Sequence, residues 1–211
     1  APAQSASDLY QRGAYAAAAQ AFRGAADRAG PGSPVAWYNV AAAEYMARRD
    51  AYAAAALLAV RGMAPRDPRV QLLWNALARE HEQLRRAESR WPITAEEGFL
   101  GALGLAWLGG LLFAIQKRST LAWGLPLAMA LAAAGVGGVL WIERQVPHAV
   151  LVGGASLRLS PHGLSPERGS APGFSVVRLD RRLGGWWLVR TIEGKEGWVP
   201  GSILAFTPRL D

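Results

Sequence analysis

Residues 18–22 read AAQAF, and residues 53–57, thirty-five positions later, read AAAAL. In each stretch an alanine is followed four residues on by a large apolar side chain, Phe22 in the first and Leu57 in the second. Residues four apart lie on the same face of an α-helix, so small alanines let helices approach closely while the large group fills the gap. The recurrence at a fixed distance predicts a repeated helical unit within residues 1–88.

The second unit carries the more complete pattern. It opens with Trp37-x2-Val40-Ala41, and Pro65 closes it twenty-eight residues after the tryptophan. This pattern resembles the tetratricopeptide repeat (TPR), W-x2-L-G-x2-Y…A-x3-F…P. The resemblance implies stacked helix pairs that form a peptide-binding scaffold.

The match to the repeat has departures. Glu44 stands where the pattern has tyrosine, Arg48 where glycine is common, and Asp50 where an aromatic residue is common. We count two repeats and a final capping helix at about 68–87, which Asp67 and Pro68 introduce. A plain alanine-rich helical bundle is the alternative.

Four side chains fall at candidate partner-binding positions. The resemblance places Tyr38, Asn39 and Tyr45 where the family lines its concave groove, and Tyr10 is the equivalent of Tyr45 in the first unit. An asparagine there can donate to and accept from an extended peptide backbone. The alternative is that the tyrosines only pack against the neighbouring helix.

Two long stretches without charge predict membrane-spanning helices. They read FLGALGLAWLGGLLFAI and LAWGLPLAMALAAAGVGGVLWI, and as helices they would rise roughly 25 and 33 Å. We predict transmembrane helices at 99–116 and 121–142, joined by a short cytoplasmic loop at 117–120 and preceded by a linker at 89–98. A buried helical hairpin in a water-soluble protein is the alternative.

The flanking residues predict an orientation. Lys117 and Arg118 lie in the short loop, whereas Glu96 and Glu97 precede the first stretch. The positive-inside tendency places that loop in the cytoplasm. The opening APAQSAS is typical of a start left by signal cleavage. Together these signals predict a bacterial inner-membrane protein with both termini in the periplasm.

The pattern changes to short alternating strands over residues 148–208. Frequent glycine, proline and serine between the strands predict a small barrel, and Glu193–Gly194 favours a tight primed turn. The strings GWWLVR at 185–190 and GKEGWVP at 194–200 resemble the bacterial SH3 family. The resemblance implies an SH3-like β-barrel.

Three tryptophans are the candidate ligand residues of this barrel. Neighbouring residues in a strand face opposite ways, so either Trp186 or Trp187 is the more exposed. One of them would form an aromatic ligand groove with Trp198. Packing in the barrel core and rim is the alternative.

The composition argues against several classes of function. Without cysteine there is no disulfide, thiolate zinc site or cysteine nucleophile, and the three histidines match no metal-ligand spacing. No nucleophile elbow or glycine-rich phosphate loop is present. The net charge of +7 is spread over short arginine pairs, which does not favour nucleic-acid binding. We therefore predict a non-enzymatic protein without a metal or cofactor.

The predicted order is an N-terminal TPR-like α-helical repeat, a two-helix transmembrane hairpin and a C-terminal SH3-like β-barrel. This order resembles the BatE-like proteins of bacterial aerotolerance (Bat) operons. The resemblance implies a membrane-anchored adaptor or assembly protein. Its implied partners are the lipid bilayer, membrane proteins with von Willebrand factor A domains (BatA/BatB-like) and, indirectly, a MoxR-type ATPase. An envelope sensor that binds peptidoglycan peptides through the SH3-like domain is the alternative.

Overall fold

The computed structural model describes residues 5–30, 32–87 and 146–208, together with ten positions between 100 and 138. The chain divides into two compact units, of which the first combines Ala1–Arg90 with Val146–Asp211 and the second is Trp91–Gln145. The helical and β-rich parts at the two ends of the chain therefore belong to one unit.

Six helices form the N-terminal part of the first unit, within its described residues, and each packs against the next along the chain. The helices are α1 (Ala6–Gln11), α2 (Tyr15–Ala29), α3 (Pro34–Met46), α4 (Asp50–Met63), α5 (Pro68–Glu80) and α6 (Glu82–Arg86). Side-chain caps define two of the starts. The Ser5 hydroxyl accepts from the Asp8 N–H at 3.1 Å, and the Asp67 carboxylate accepts from the Arg69 N–H at 2.9 Å.

The ends of α1 and α3 are built alike. Gly13 and Arg48 follow these helices with φ of 79° and 59°. In both turns the next residue's N–H donates to a carbonyl five positions back, at 2.9 Å. This is the Schellman motif, whose left-handed position favours glycine because it has no Cβ. The turns lie thirty-five residues apart, so the spacing of the sequence repeat is also the spacing of a structural repeat.

Helix α4 is buried around most of its circumference. Its buried residues are Ala51, Ala53, Ala54, Ala55, Ala56, Leu57, Ala59 and Val60. Alanine permits close backbone approach from more than one side. Larger side chains, such as Trp74 and Leu77, fill the spaces that the alanines leave.

The C-terminal part is a curled sheet of seven strands in the order β3-β2-β6-β5-β4-β1-β7, all paired antiparallel. The strands are β1 (His148–Leu151), β2 (Ala155–Arg158), β3 (Glu167–Ala171), β4 (Val176–Leu183), β5 (Trp186–Thr191), β6 (Glu196–Pro200) and β7 (Leu204–Phe206). A core of small and aliphatic side chains fills its inner side, including Leu157, Val189 and Val199.

The turn between β5 and β6 differs from the prediction. The Gly194 N–H donates to the Thr191 carbonyl at 3.0 Å, and the Thr191 N–H donates to the Lys195 carbonyl at 2.9 Å. Gly194 itself has φ of 81°. The predicted two-residue primed turn is wrong, because three residues close the hairpin and the last is a left-handed glycine.

The sheet packs directly on the helices. Helix α4 contacts β1 and β7. Val150, Val176 and Ala205 of the sheet belong to the same buried cluster as the alanines of α4. The repeat and the sheet therefore share one hydrophobic core, which the sequence did not predict.

The predicted membrane hairpin is wrong. Among the described residues, no helix is both long enough and apolar enough to cross a bilayer. This finding contradicts the transmembrane helices predicted at 99–116 and 121–142, and with them the inner-membrane location with periplasmic termini. A charge-free stretch spans a bilayer only as one continuous apolar helix of about 20 residues. The predicted linker 89–98 and loop 117–120 lie outside the described residues.

The shared core predicts that damage inside the barrel also destabilises the helices. A Cβ at Gly197 would lie 2.6 Å from the Leu157 Cβ and 3.0 Å from its backbone. We expect Gly197→Ala to cost about 1–3 kcal/mol through overpacking. Urea unfolding followed by the far-UV circular dichroism of the helices should show a lower midpoint.

Gly185→Ala is the matched control, because its Cβ would meet nothing within 4 Å. An unchanged helical transition in Gly197→Ala, with only the β signal lost, would show that the two parts fold separately.

Candidate interaction surfaces

Exposed side chains follow one face of α3. Val35 is 55% exposed and Met46 is 43% exposed, while Tyr38, Asn39 and Ala42 between them are half-buried. Their spacing of three or four residues puts them on one side of the helix. The main contact between the helices and the sheet is made by α4, so this side of α3 is not part of that contact.

Helix α5 extends this surface. The Arg69 guanidinium lies 5.5 Å from the centre of the Tyr38 ring, and Leu72, one turn further along α5, is 73% exposed. Asp67 holds Arg69 in place through a 2.7 Å ion pair, and this hydrogen bond lowers the pKa of Asp67. We call the combined patch the α3–α5 surface, formed by Val35, Tyr38, Asn39, Arg69 and Leu72.

The Asn39 amide is available to a ligand. Within the described part of the chain it makes no hydrogen bond, although the residue is half-buried. An amide carries both donors and an acceptor, so it can pair with an extended backbone. Unpaired polar groups in a partly desolvated place gain more from a ligand than fully solvated ones do.

The predicted tyrosines divide between surface and packing. Tyr10 packs edge-on against Tyr15, with ring centres 5.2 Å apart, and burial, followed by the nearby Tyr15 and Tyr38, raises its pKa. Tyr38 and Tyr45 both pack against the helical core, and Tyr38 also lies against the Arg69 guanidinium.

Trp186 and Trp198 lie on the outer face of the sheet. Trp186 is paired with Pro200, and Leu188 is paired with Trp198, so the alternation of β5 and β6 puts these four side chains on one face. The inner face of the same strands carries residues such as the fully buried Val189. Trp186, Leu188, Trp198 and Pro200 form an apolar patch that we call the tryptophan face.

Trp187 takes the opposite direction. Its ring packs against the barrel core and lies 5.5 Å from the Phe206 ring. The Arg182 guanidinium sits 5.7 Å from its centre. The structure therefore puts Trp186 on the same face of the sheet as Trp198 and Trp187 on the opposite face, although Trp186 and Trp187 are both half-buried.

Arginines border the tryptophan face. Arg158 of β2 is paired with Trp198, and its side chain donates to the Ser165 carbonyl at 2.8 Å. Arg181 of β4 is paired with Leu188. The face therefore combines indole rings with two arginines, of which Arg158 also lies 3.9 Å from the Glu167 carboxylate.

A third cluster, which no sequence pattern indicated, lies where the helices meet the sheet. His81, between α5 and α6, stacks on Phe174 with ring centres 3.6 Å apart. Its Nε2 lies 3.0 Å from Asp50 Oδ2 at the start of α4. Glu80 brings a third ligand atom, and the three lie within 4.8 Å of one another. The backbone at Phe174 is left-handed, with φ of 62°. No sequence signal marks this turn.

Comparison with known proteins adds no relative: no family model, no curated protein and no solved structure matches the chain.

A buried carboxylate, that of Glu44, lies on the inner side of α3. Glu44 is 2% exposed and lies 3.1 Å from an Arg23 nitrogen and 3.3 Å from an Arg49 nitrogen. Burial raises the pKa of Glu44 above its ordinary 4.5, even though both arginines act to lower it. Desolvation of the carboxylate therefore outweighs the two ion pairs.

This balance predicts a pH dependence of stability. A raised pKa in the folded state means that folding favours protonated Glu44, so this contribution is present at low pH and is lost as pH rises through the folded pKa. We expect the free energy of unfolding of the wild type, relative to Glu44→Gln, to fall as the pH rises from the ordinary pKa of 4.5 through the raised folded pKa. Urea unfolding of both proteins across this range measures it. A difference that is constant, or that grows with pH, would contradict the dominance of desolvation.

Proposed function

We propose that this protein is a non-enzymatic adaptor that binds an extended segment of a partner protein across the α3–α5 surface. The observation that carries the proposal is the half-buried Asn39 amide, which has no hydrogen-bond partner within the described residues and lies on the same face of α3 as the exposed Val35 and Met46. An extended segment would pair its backbone with this amide and cover Val35 and Leu72.

The fold supports this use of the surface. The sheet is packed on α4, so the barrel and the proposed partner use different helices. Glu44 and its arginines fix the inner side of α3. A rigid receptor surface loses little conformational freedom on binding, which favours affinity.

The resemblance to BatE-like proteins makes proteins with von Willebrand factor A domains the first partners to test. A MoxR-type ATPase would then be an indirect companion. The proposal concerns the recognition surface itself and does not depend on a membrane anchor.

The α3–α5 surface can be tested with displayed random peptides. The full chain is used for selection, and Asn39→Ala is used for counter-selection. We expect selected peptides to bind the wild type and to lose roughly tenfold or more in affinity with Asn39→Ala, because alanine removes the amide that pairs with the peptide backbone. A tenfold loss corresponds to about 1.4 kcal/mol. Fluorescence anisotropy with synthetic peptides measures the change.

Leu164→Ala is the matched control, because Leu164 is 89% exposed and lies in the loop between β2 and β3. Peptides that bind wild type and Asn39→Ala equally, or a selection without enrichment, would reject this surface as the binding site.

A second candidate function is supported by the tryptophan face. Two outward-facing indoles bordered by Arg158 and Arg181 suit a ligand that combines apolar groups with carboxylates. Peptidoglycan peptides have this chemistry, so an envelope sensor is the alternative to an adaptor.

Sedimentation of the full chain with purified sacculi tests the second candidate. Retention that falls severalfold with Trp198→Ala, while Leu164→Ala is retained like the wild type, would support it. Because Trp198 faces outward, its truncation leaves the barrel core intact. No retention of the wild type would remove peptidoglycan as the ligand.

A further inference from the structure

We propose that Asp50, Glu80 and His81 form a binding site for a divalent transition-metal cation of the Zn²⁺ type, at the joint between the helices and the sheet. The proposal is independent of the adaptor function. It rests on the geometry, burial and charge of these three side chains.

The donor geometry is close to that of a metal centre. Two ligands of a tetrahedral zinc ion, each about 2.0–2.2 Å from the metal, lie roughly 3.3–3.5 Å apart. The His81 nitrogen and the Asp50 oxygen are 3.0 Å apart, and all three ligand atoms lie within 4.8 Å of one another. Glu80 is exposed, so its carboxylate can move the remaining distance without disturbing the core.

The charges in this cluster are incompletely balanced. In the described part of the chain, no lysine or arginine pairs with Asp50 or Glu80. The second oxygen of Asp50, Oδ1, is buried and accepts no hydrogen bond. A buried carboxylate oxygen without a partner is costly, and a cation bound to this carboxylate would reduce that cost.

The histidine is held in position by the sheet. Phe174, in the turn before β4, stacks on the His81 ring with an interplanar angle of 16°, which fixes the plane of the imidazole. The Asp50 and His81 side chains are only 15% and 18% exposed. Preorganised ligands lower the entropic cost of binding a metal.

The donor set selects the class of cation. One imidazole nitrogen with two carboxylate oxygens suits Zn²⁺ and neighbouring first-row ions better than Ca²⁺ or Mg²⁺, which prefer oxygen ligands alone. Three protein ligands leave a fourth position on the solvent side, beside Glu80. A water molecule or an additional side chain would complete the coordination.

Metal titration of the untagged full chain, after treatment with a chelator, tests the proposal. We expect one Co²⁺ per chain with the visible absorption of a tetrahedral site, displaced by Zn²⁺. Glu80→Gln and His81→Gln should each weaken binding by roughly tenfold or more, because even residues that only support a ligand cost 10–100-fold.

Two controls separate this site from others. Glu82→Gln changes a neighbouring acid that pairs with Arg85 and Arg86, and His162→Gln changes an exposed histidine; both should bind like the wild type. Since Glu80 is exposed, Glu80→Gln should keep the wild-type circular dichroism, so its loss of binding would not reflect unfolding. Absence of binding to the wild type, or unchanged binding by Glu80→Gln, would overturn the proposal.

Discussion

The burial of α4 on two sides is the constraint on which the first unit depends. One side packs against α3 and the other against β1 and β7. Alanine makes this possible, because a helix with larger side chains all around could not be approached closely by both a helix and a sheet. The same alanines give the helix little apolar area of its own, so its stability depends on having both neighbours.

This arrangement changes how the two recognition surfaces work together. Separate modules on flexible linkers would search for ligands independently. Here the α3–α5 surface and the tryptophan face belong to parts that share a buried core, so their separation and direction are fixed. The joint with Asp50, His81 and Phe174 lies at the contact between these parts. A ligand at the joint would act on the contact itself rather than on either surface.

Local features were readable from the sequence, and long-range contacts were not. Asp67 and Pro68 predicted the start of α5, because a side-chain cap and a proline act within one turn. The predicted helix over 68–87 is divided at His81, whose extended backbone, with φ of −129° and ψ of 101°, depends on contacts with Asp50 and Phe174. Those contacts join residues 31 and 93 positions away, beyond any periodic pattern. The hairpin prediction failed because absence of charge indicates an apolar environment but does not establish a helix that spans a bilayer.

The shared core also has a consequence for synthesis of the chain. Helix α4 ends at Met63, and the strands that cover it, β1 and β7, are complete only at Phe206, so about 143 residues must be added before the sheet can cover it, which takes roughly 7–29 seconds at about 5–20 residues per second. During this interval Leu57, Val60 and the alanine ridge of α4 lack part of their final covering. A nascent chain with an uncovered apolar helix is prone to association with neighbouring chains, and its yield in the cell would depend on translation speed and on chaperones that shield such helices.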